Sequence, residues 1–218
     1  MDYFHSRLVF DPRHSLVWKE ICRFLQKRYI PVNSRILDIG AGYCHFINSV
    51  VGTEKHALDT FEQLAEYAAR DVTVHVQSCT RMENLPKGHF DVIFASNLFE
   101  HLSRDELTQT LLGAREVLKP GGRLLVLQPN FKYCVREYYD DYTHRQAFTH
   151  IGLCDLLRVS GFRICDVKPR ILPFSMQSGL PASPFLARIY LLLPIKPFAA
   201  QMFVVAEKKE GRTQSHVE

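Results

Sequence analysis

The 218-residue sequence has no apolar run near the ~20 positions that a membrane-spanning helix needs. Its longest, Ile189 to Ile195, is broken by Pro194. The first residues, MDYFHSRLVFDPRH, lack the apolar core of a secretory leader. The six cysteines form no C-x-x-C pair, and no Cys/His set has zinc-ligand spacing, so reduced thiols in a cytoplasmic setting are expected. Charge of one sign is scarce as well: 27 Lys+Arg stand against 23 Asp+Glu, for a net +4 without a basic stripe, and no strong nucleic-acid signal follows. There is no internal repeat, and 46% apolar with 23% charged residues excludes disorder, collagen and coiled coil. A chain of this length buries ~70% of its unfolded surface and needs neither disulfides nor metals to hold a core.

The apolar residues are arranged as short strands alternating with helices. Leu16, Val17, Ile21, Phe24, Leu25 and Tyr29 step by three and four, which predicts an amphipathic helix over 15–30, closed by Pro31. Strands are expected at 35–39, 55–59, 72–77, 90–96 and 123–128, and helices from Tyr43, over 60–70 and over 103–118, the last stopped by Lys119–Pro120–Gly121–Gly122. Short apolar strands separated by helices require a parallel sheet covered on both faces, so 34–128 reads as a doubly wound sheet. A helix over 149–160 and strands at 162–168 and 201–207 follow. The segments 129–148 and 172–200 break the rhythm and are assigned to the substrate side, as loop and lid. Residues 1–33 are expected to be a helical extension, 34–208 the main domain and 209–218 a polar tail.

The strongest local signal is Ile36–Leu37–Asp38–Ile39–Gly40–Ala41–Gly42, a strand running into a glycine turn that opens a helix. Glycines permit a sharp turn and close approach of a ligand, and helix N-terminal amides favour anionic groups. Asp59, at the end of the second strand, can accept hydrogen bonds from both ribose hydroxyls of a nucleoside. It can equally cap the following helix. Asp38 precedes the turn, where it would repel a pyrophosphate but attract the ammonium of a cofactor with an amino-acid end.

Together with Phe90–Asp91–Val92–Ile93–Phe94–Ala95–Ser96–Asn97 and Leu118–Lys119–Pro120–Gly121–Gly122–Arg123–Leu124, these motifs resemble those of the class I S-adenosylmethionine-dependent methyltransferases. The resemblance implies an α/β, Rossmann-like, doubly wound seven-stranded sheet, mostly parallel with an antiparallel last strand. It implies S-adenosylmethionine as cofactor and S-adenosylhomocysteine as product. Asp38, Gly40, Ala41 and Gly42 would hold the methionine end, Asp59 and Thr60 the ribose, and Ser78, Cys79 and Thr80 the adenine. Asn97 and Leu98 would face the methyl region. Cys79 stands where the family often has Asp, and Cys44 where many members have a third glycine.

Glu100–His101–Leu102 is similar to the Glu-His-Leu signature of small-molecule and glycan methyltransferases in that family. An alcohol acceptor must lose a proton, and histidine is suited to take it near neutral pH. The catalytic candidates are His144, His101 and Glu100. Asn130, Tyr133, Arg136, Tyr139 and Asp141, after the fifth strand, are the substrate-side candidates, on the grounds that open sheets bind ligands at their carboxyl ends. Some relatives hold a divalent metal through Glu and His after the fourth strand; Asn97 occupies the place of a second Glu, and no metal is expected here. The reading is O-methylation of a small-molecule or glycan acceptor by a monomer or homodimer, with peripheral membrane contact through 185–200 as an option. An RNA methyltransferase and a non-catalytic S-adenosylmethionine-binding protein are the alternatives.

Overall fold

The computed structural model describes residues 10–174 and 183–209. The tail at 210–218 and part of the 172–200 segment lie outside the described residues. Helix α1 spans Pro12–Gln26: Asp11 accepts from the Arg13 amide at 2.8 Å, Pro12 needs no amide partner in the first turn, and Trp18, Ile21, Cys22 and Leu25 are buried at i, i+3, i+4 and i+7.

Strands β1 (Arg35–Ile39), β2 (Glu54–Asp59), β3 (Val72–Val76), β4 (Phe90–Ser96) and β5 (Leu118–Pro129) are followed by β6 (Phe162–Pro173) and β7 (Ala199–Lys208). They form one seven-stranded sheet in the order β3-β2-β1-β4-β5-β7-β6. The pairs among β1 to β5 are parallel, and β7 is inserted antiparallel between β5 and β6, as the expected fold class requires.

Helices α2 (His45–Ser49), α3 (Leu64–Tyr67), α4 (Arg104–Val117), α5 (His150–Val159) and α6 (Pro184–Leu192) complete the regular structure. Alternate residues of the central strands feed two cores. Leu37, Ile93, Leu124 and Val126 pack under α4 and α5; Ile36, Phe94, Leu125 and Phe203 pack under α1. At ~25 cal/mol per Å² of apolar surface removed from water, this double-sided burial is the main stabilising term.

Two expected elements differ. The helix over 60–70 shrinks to the single turn of α3, because the Asn48 amide of α2 donates to the Tyr67 carbonyl (2.7 Å) and accepts from the Ala69 amide (2.9 Å), taking backbone groups that a longer helix would pair internally. The Lys119–Gly122 stretch does end α4, but the chain is already in the sheet: Leu118 pairs with Phe90, and after an irregularity Arg123 pairs with Val92. Gly121 makes this step at φ +71.

Candidate functional site

A cavity of about 780 Å³ opens at the carboxyl ends of β1, β2 and β4, within the roughly 300–1,000 Å³ typical of small-molecule sites. The β1 turn is suspended from β2, since the Gly40 and Ala41 amides both donate to the Leu58 carbonyl (2.8 and 3.2 Å). Gly40 has φ +70, and a Cβ there would lie 3.0 Å from Leu98 Cδ1. Cys44, where many members of the resembled family have a glycine, also has a positive φ (58), which explains why glycine suits that position. Its thiol is buried, its pKa pushed up to about 12, and it packs away from the cavity.

Asp59 ties the turns after β1 and β2 together at the cavity wall. Oδ1 caps the next turn through the Phe61 amide (3.0 Å) and Oδ2 accepts from the Gly42 amide (2.9 Å). Thr60 bonds it too, through backbone and side chain, so the protein itself anchors this carboxylate at the cavity it lines. Asp38 is buried, and its pKa lies well above the usual range because of burial and then the charge of Asp59; the Ile47 amide partly offsets both. Asp38 lines the cavity wall, where its carboxyl fits a cationic group such as the ammonium of an amino-acid-bearing cofactor.

Further along the wall lie Thr60, Ser78, Cys79, Asn97 and Leu98. Cys79 is buried and accepts from the Thr110 hydroxyl (3.4 Å). Thr80 is not on the wall; its hydroxyl lies 2.8 Å from that of Ser78. Asn97 has φ 47, a conformation Asn tolerates better than most residues.

The remaining wall gathers distant parts of the chain. His14 and Trp18 come from α1, Glu106 from α4, Phe174 from just after β6, Gln201 from β7, and His101, Tyr142, Thr143 and Arg145 from the two loops between. Among the substrate-side candidates, Tyr133, Arg136 and Tyr139 are exposed off the wall, on or beside two short 3-10 turns (Phe131–Tyr133 and Tyr138–Asp140). Asn130 is buried, donating to the Pro169 carbonyl at 2.9 Å and lying 3.1 Å from His150 Nδ1. Asp141 is off the wall as well and accepts from the Thr143 amide (3.0 Å). The sequence offered no local signal for His14, Trp18, Phe174 or Gln201, because only long-range packing brings them to the cavity.

The loops at Phe99–His101 and 141–146 are locked together. The Arg145 and Gln146 amides donate to the Glu100 carbonyl (2.8 and 3.2 Å), and the Gln146 side chain donates to the Leu102 carbonyl (2.7 Å). The Thr143 hydroxyl donates to Asp141 Oδ1 (2.6 Å) and is hydrogen-bonded with His101 Nδ1 (2.9 Å). The His101 ring also hydrogen-bonds the Thr143 backbone, so Thr143 orients it through two groups. Burial, then the neighbouring His144, hold the His101 pKa down to about 4, keeping it neutral near pH 7.

His144 lies behind His101, with ring centroids 4.9 Å apart, and its Nδ1 is 2.6 Å from the Tyr138 carbonyl to which it donates. Glu100 is fully buried, neither carboxylate oxygen has a hydrogen-bond partner, and burial pushes its pKa up to about 8. Glu100, His101 and His144 each bring a ligand atom within 4.8 Å of the others, so this trio is where a divalent cation would be held if one binds.

Residues 13–167 match the family described as "Methyltransferase domain". Among curated proteins, the phosphoethanolamine N-methyltransferase of Plasmodium falciparum (isolate 3D7) is 26% identical over 148 residues, 60% of this chain and 54% of that protein. The chain thus spans about half the length of that relative. Among solved structures, a SAM-dependent methyltransferase from Archaeoglobus fulgidus superposes with TM-score 0.62 at 22% identity, covering 87% of this chain and 94% of the other. The 1,6-didemethyltoxoflavin-N1-methyltransferase of Burkholderia thailandensis, solved with 1,6-didemethyltoxoflavin and S-adenosylhomocysteine, gives 0.59 at 18% identity, covering 95% and 84%. With this sheet order, the glycine turn and the paired carboxylates at its cavity, the chain belongs to the class I S-adenosylmethionine-dependent methyltransferases.

Proposed function

We propose that the protein methylates an oxygen of a polar small-molecule or glycan acceptor, with His101 as the general base. The observation that carries this reading is the Asp141–Thr143–His101 relay, which positions a neutral imidazole at the cavity wall. When bound, S-adenosylmethionine supplies a methyl group on a sulfonium sulfur, open to in-line displacement. The chain's part is to align the acceptor, exclude water and take the acceptor's hydroxyl proton on the His101 imidazole. Trp18, Phe94 and Leu98 furnish the apolar wall, while Arg145 and Gln201 offer donors to a polyhydroxylated acceptor. His144 and buried Glu100 back the His101 ring.

A nitrogen acceptor is the second reading, favoured by the names of the Plasmodium falciparum and Burkholderia thailandensis proteins. The test is release of S-adenosylhomocysteine on matched hydroxyl and amine panels by wild type and His101→Gln. The proposal expects turnover of hydroxyl compounds and a loss of about 10²-fold or more in kcat for the variant, with cofactor binding intact. Turnover of amines alone, or full activity of the variant, would contradict it.

A further inference from the structure

Helix α6 carries its apolar face outward. Leu191 is buried against α1, but Phe185, Leu186, Ile189 and Leu192, at i, i+1, i+4 and i+7, are exposed. The exposed apolar surface continues through Leu193, Ile195 and Phe198, the last two more than four-fifths exposed (81% and 84%). Phe198 is held at φ 55, a conformation costly for a bulky residue. Packing therefore does not hide these chains; it displays them, and a patch of this extent marks a surface that meets something apolar.

The charge around the patch is one-sided. From Val167 to Ala206 there is no Asp or Glu, while Lys168, Arg170, Arg188 and Lys196 are present. Lys196 closes the C-terminus of α6, donating to the Leu191 and Leu193 carbonyls (3.2 and 2.7 Å). It lies close enough to Arg28 and Lys168 that their charges, after burial, lower its pKa. The adjoining acid, Asp166, accepts from the Tyr29 hydroxyl (2.6 Å) and pairs with Lys168.

From this outward apolar stripe ringed by cations, we infer that α6 and residues 193–198 dock on an anionic phospholipid surface. The apolar side chains enter the headgroup boundary and Arg28, Arg188 and Lys196 face the phosphates. A second copy of the chain fits less well, because a twofold contact would place this cation ring against itself. The α1 helix that supports α6 also contributes His14 and Trp18 to the cavity, so docking sets one wall of the site beside the membrane.

Sedimentation of the full chain with vesicles tests the inference, comparing phosphatidylcholine alone with an equimolar mixture of phosphatidylcholine and phosphatidylglycerol. Expected are binding to the anionic vesicles only, weakening in high salt, and a loss of roughly tenfold or more in Arg188→Glu. Ile189→Ser combined with Phe198→Ser should lose binding while keeping the wild-type circular dichroism spectrum. Absence of wild-type binding to either vesicle, or equal binding to both, would overturn the inference. So would a concentration-dependent dimer in sedimentation velocity that these substitutions abolish.

Discussion

His101 and Thr143, 42 positions apart in sequence, meet at 2.9 Å, and that hydrogen bond orients the imidazole at the cavity. The Thr143 hydroxyl donates to Asp141, which ties the position of the imidazole to that carboxylate. Thr143→Val removes this hydroxyl and loosens the ring's orientation. Steady-state kinetics should show kcat reduced by about 10-fold to 10²-fold with little change in KM, and Thr143→Ser should restore it. An unchanged kcat in Thr143→Val would mean that the relay does not position the base.

Gly40 makes a similarly sharp demand. Its φ of +70 costs a side-chain-bearing residue about 1–2 kcal/mol. The added Cβ would also press on Leu98, a wall residue, at 3.0 Å. Gly40→Ala should lower the urea midpoint and weaken S-adenosylhomocysteine binding together. Loss of stability with unchanged binding would show that the turn supports the fold without shaping the site.

Burial sets the pH dependence of Glu100. Its folded pKa is about 8 against an ordinary 4.5, so between those values the folded state binds more protons than the unfolded state. Its contribution is therefore full below pH 4.5 and is lost as pH rises through about 8. Glu100→Gln keeps the shape without the charge. Relative to wild type it should gain stability as pH rises from about 5 to 9, by up to a few kcal/mol, with little difference at the acid end. Urea unfolding across that range reads the difference, and a flat one would contradict the buried, neutral carboxyl.

The same trio decides the question of a metal. With Glu100 neutral and His101 acting as a base, methyl transfer should survive extensive treatment with EDTA. Activity that EDTA abolishes and Mg²⁺ or Mn²⁺ restores would instead make Glu100, His101 and His144 ligands.

The fold was legible because its signals are local. Ile36 to Gly42 shows strand, turn and glycine in consecutive residues, and Ser103 with Glu106 forms a capping box that starts α4 where the sequence places it. The α3 region was less legible because Asn48, from another helix, decides it. The cofactor candidates sit at strand ends, which is why all of them except Thr80 line the cavity. The acceptor half follows no such rule: two 3-10 turns carry Tyr133 and Tyr139 outward while Tyr142, Thr143 and Arg145 reach the cavity, and Trp18 arrives from the far end of the chain.

The central claim is that Asp38, the Gly40–Gly42 turn and Asp59 hold S-adenosylmethionine. Isothermal titration of S-adenosylhomocysteine into wild type and Asp59→Ala addresses it most directly, with circular dichroism confirming that the variant is folded. The account predicts saturable one-site binding by wild type and a loss of roughly tenfold or more in the folded variant, the effect of removing charge-assisted hydrogen bonds. No heat of binding with wild type, or equal affinity in both proteins, would contradict it.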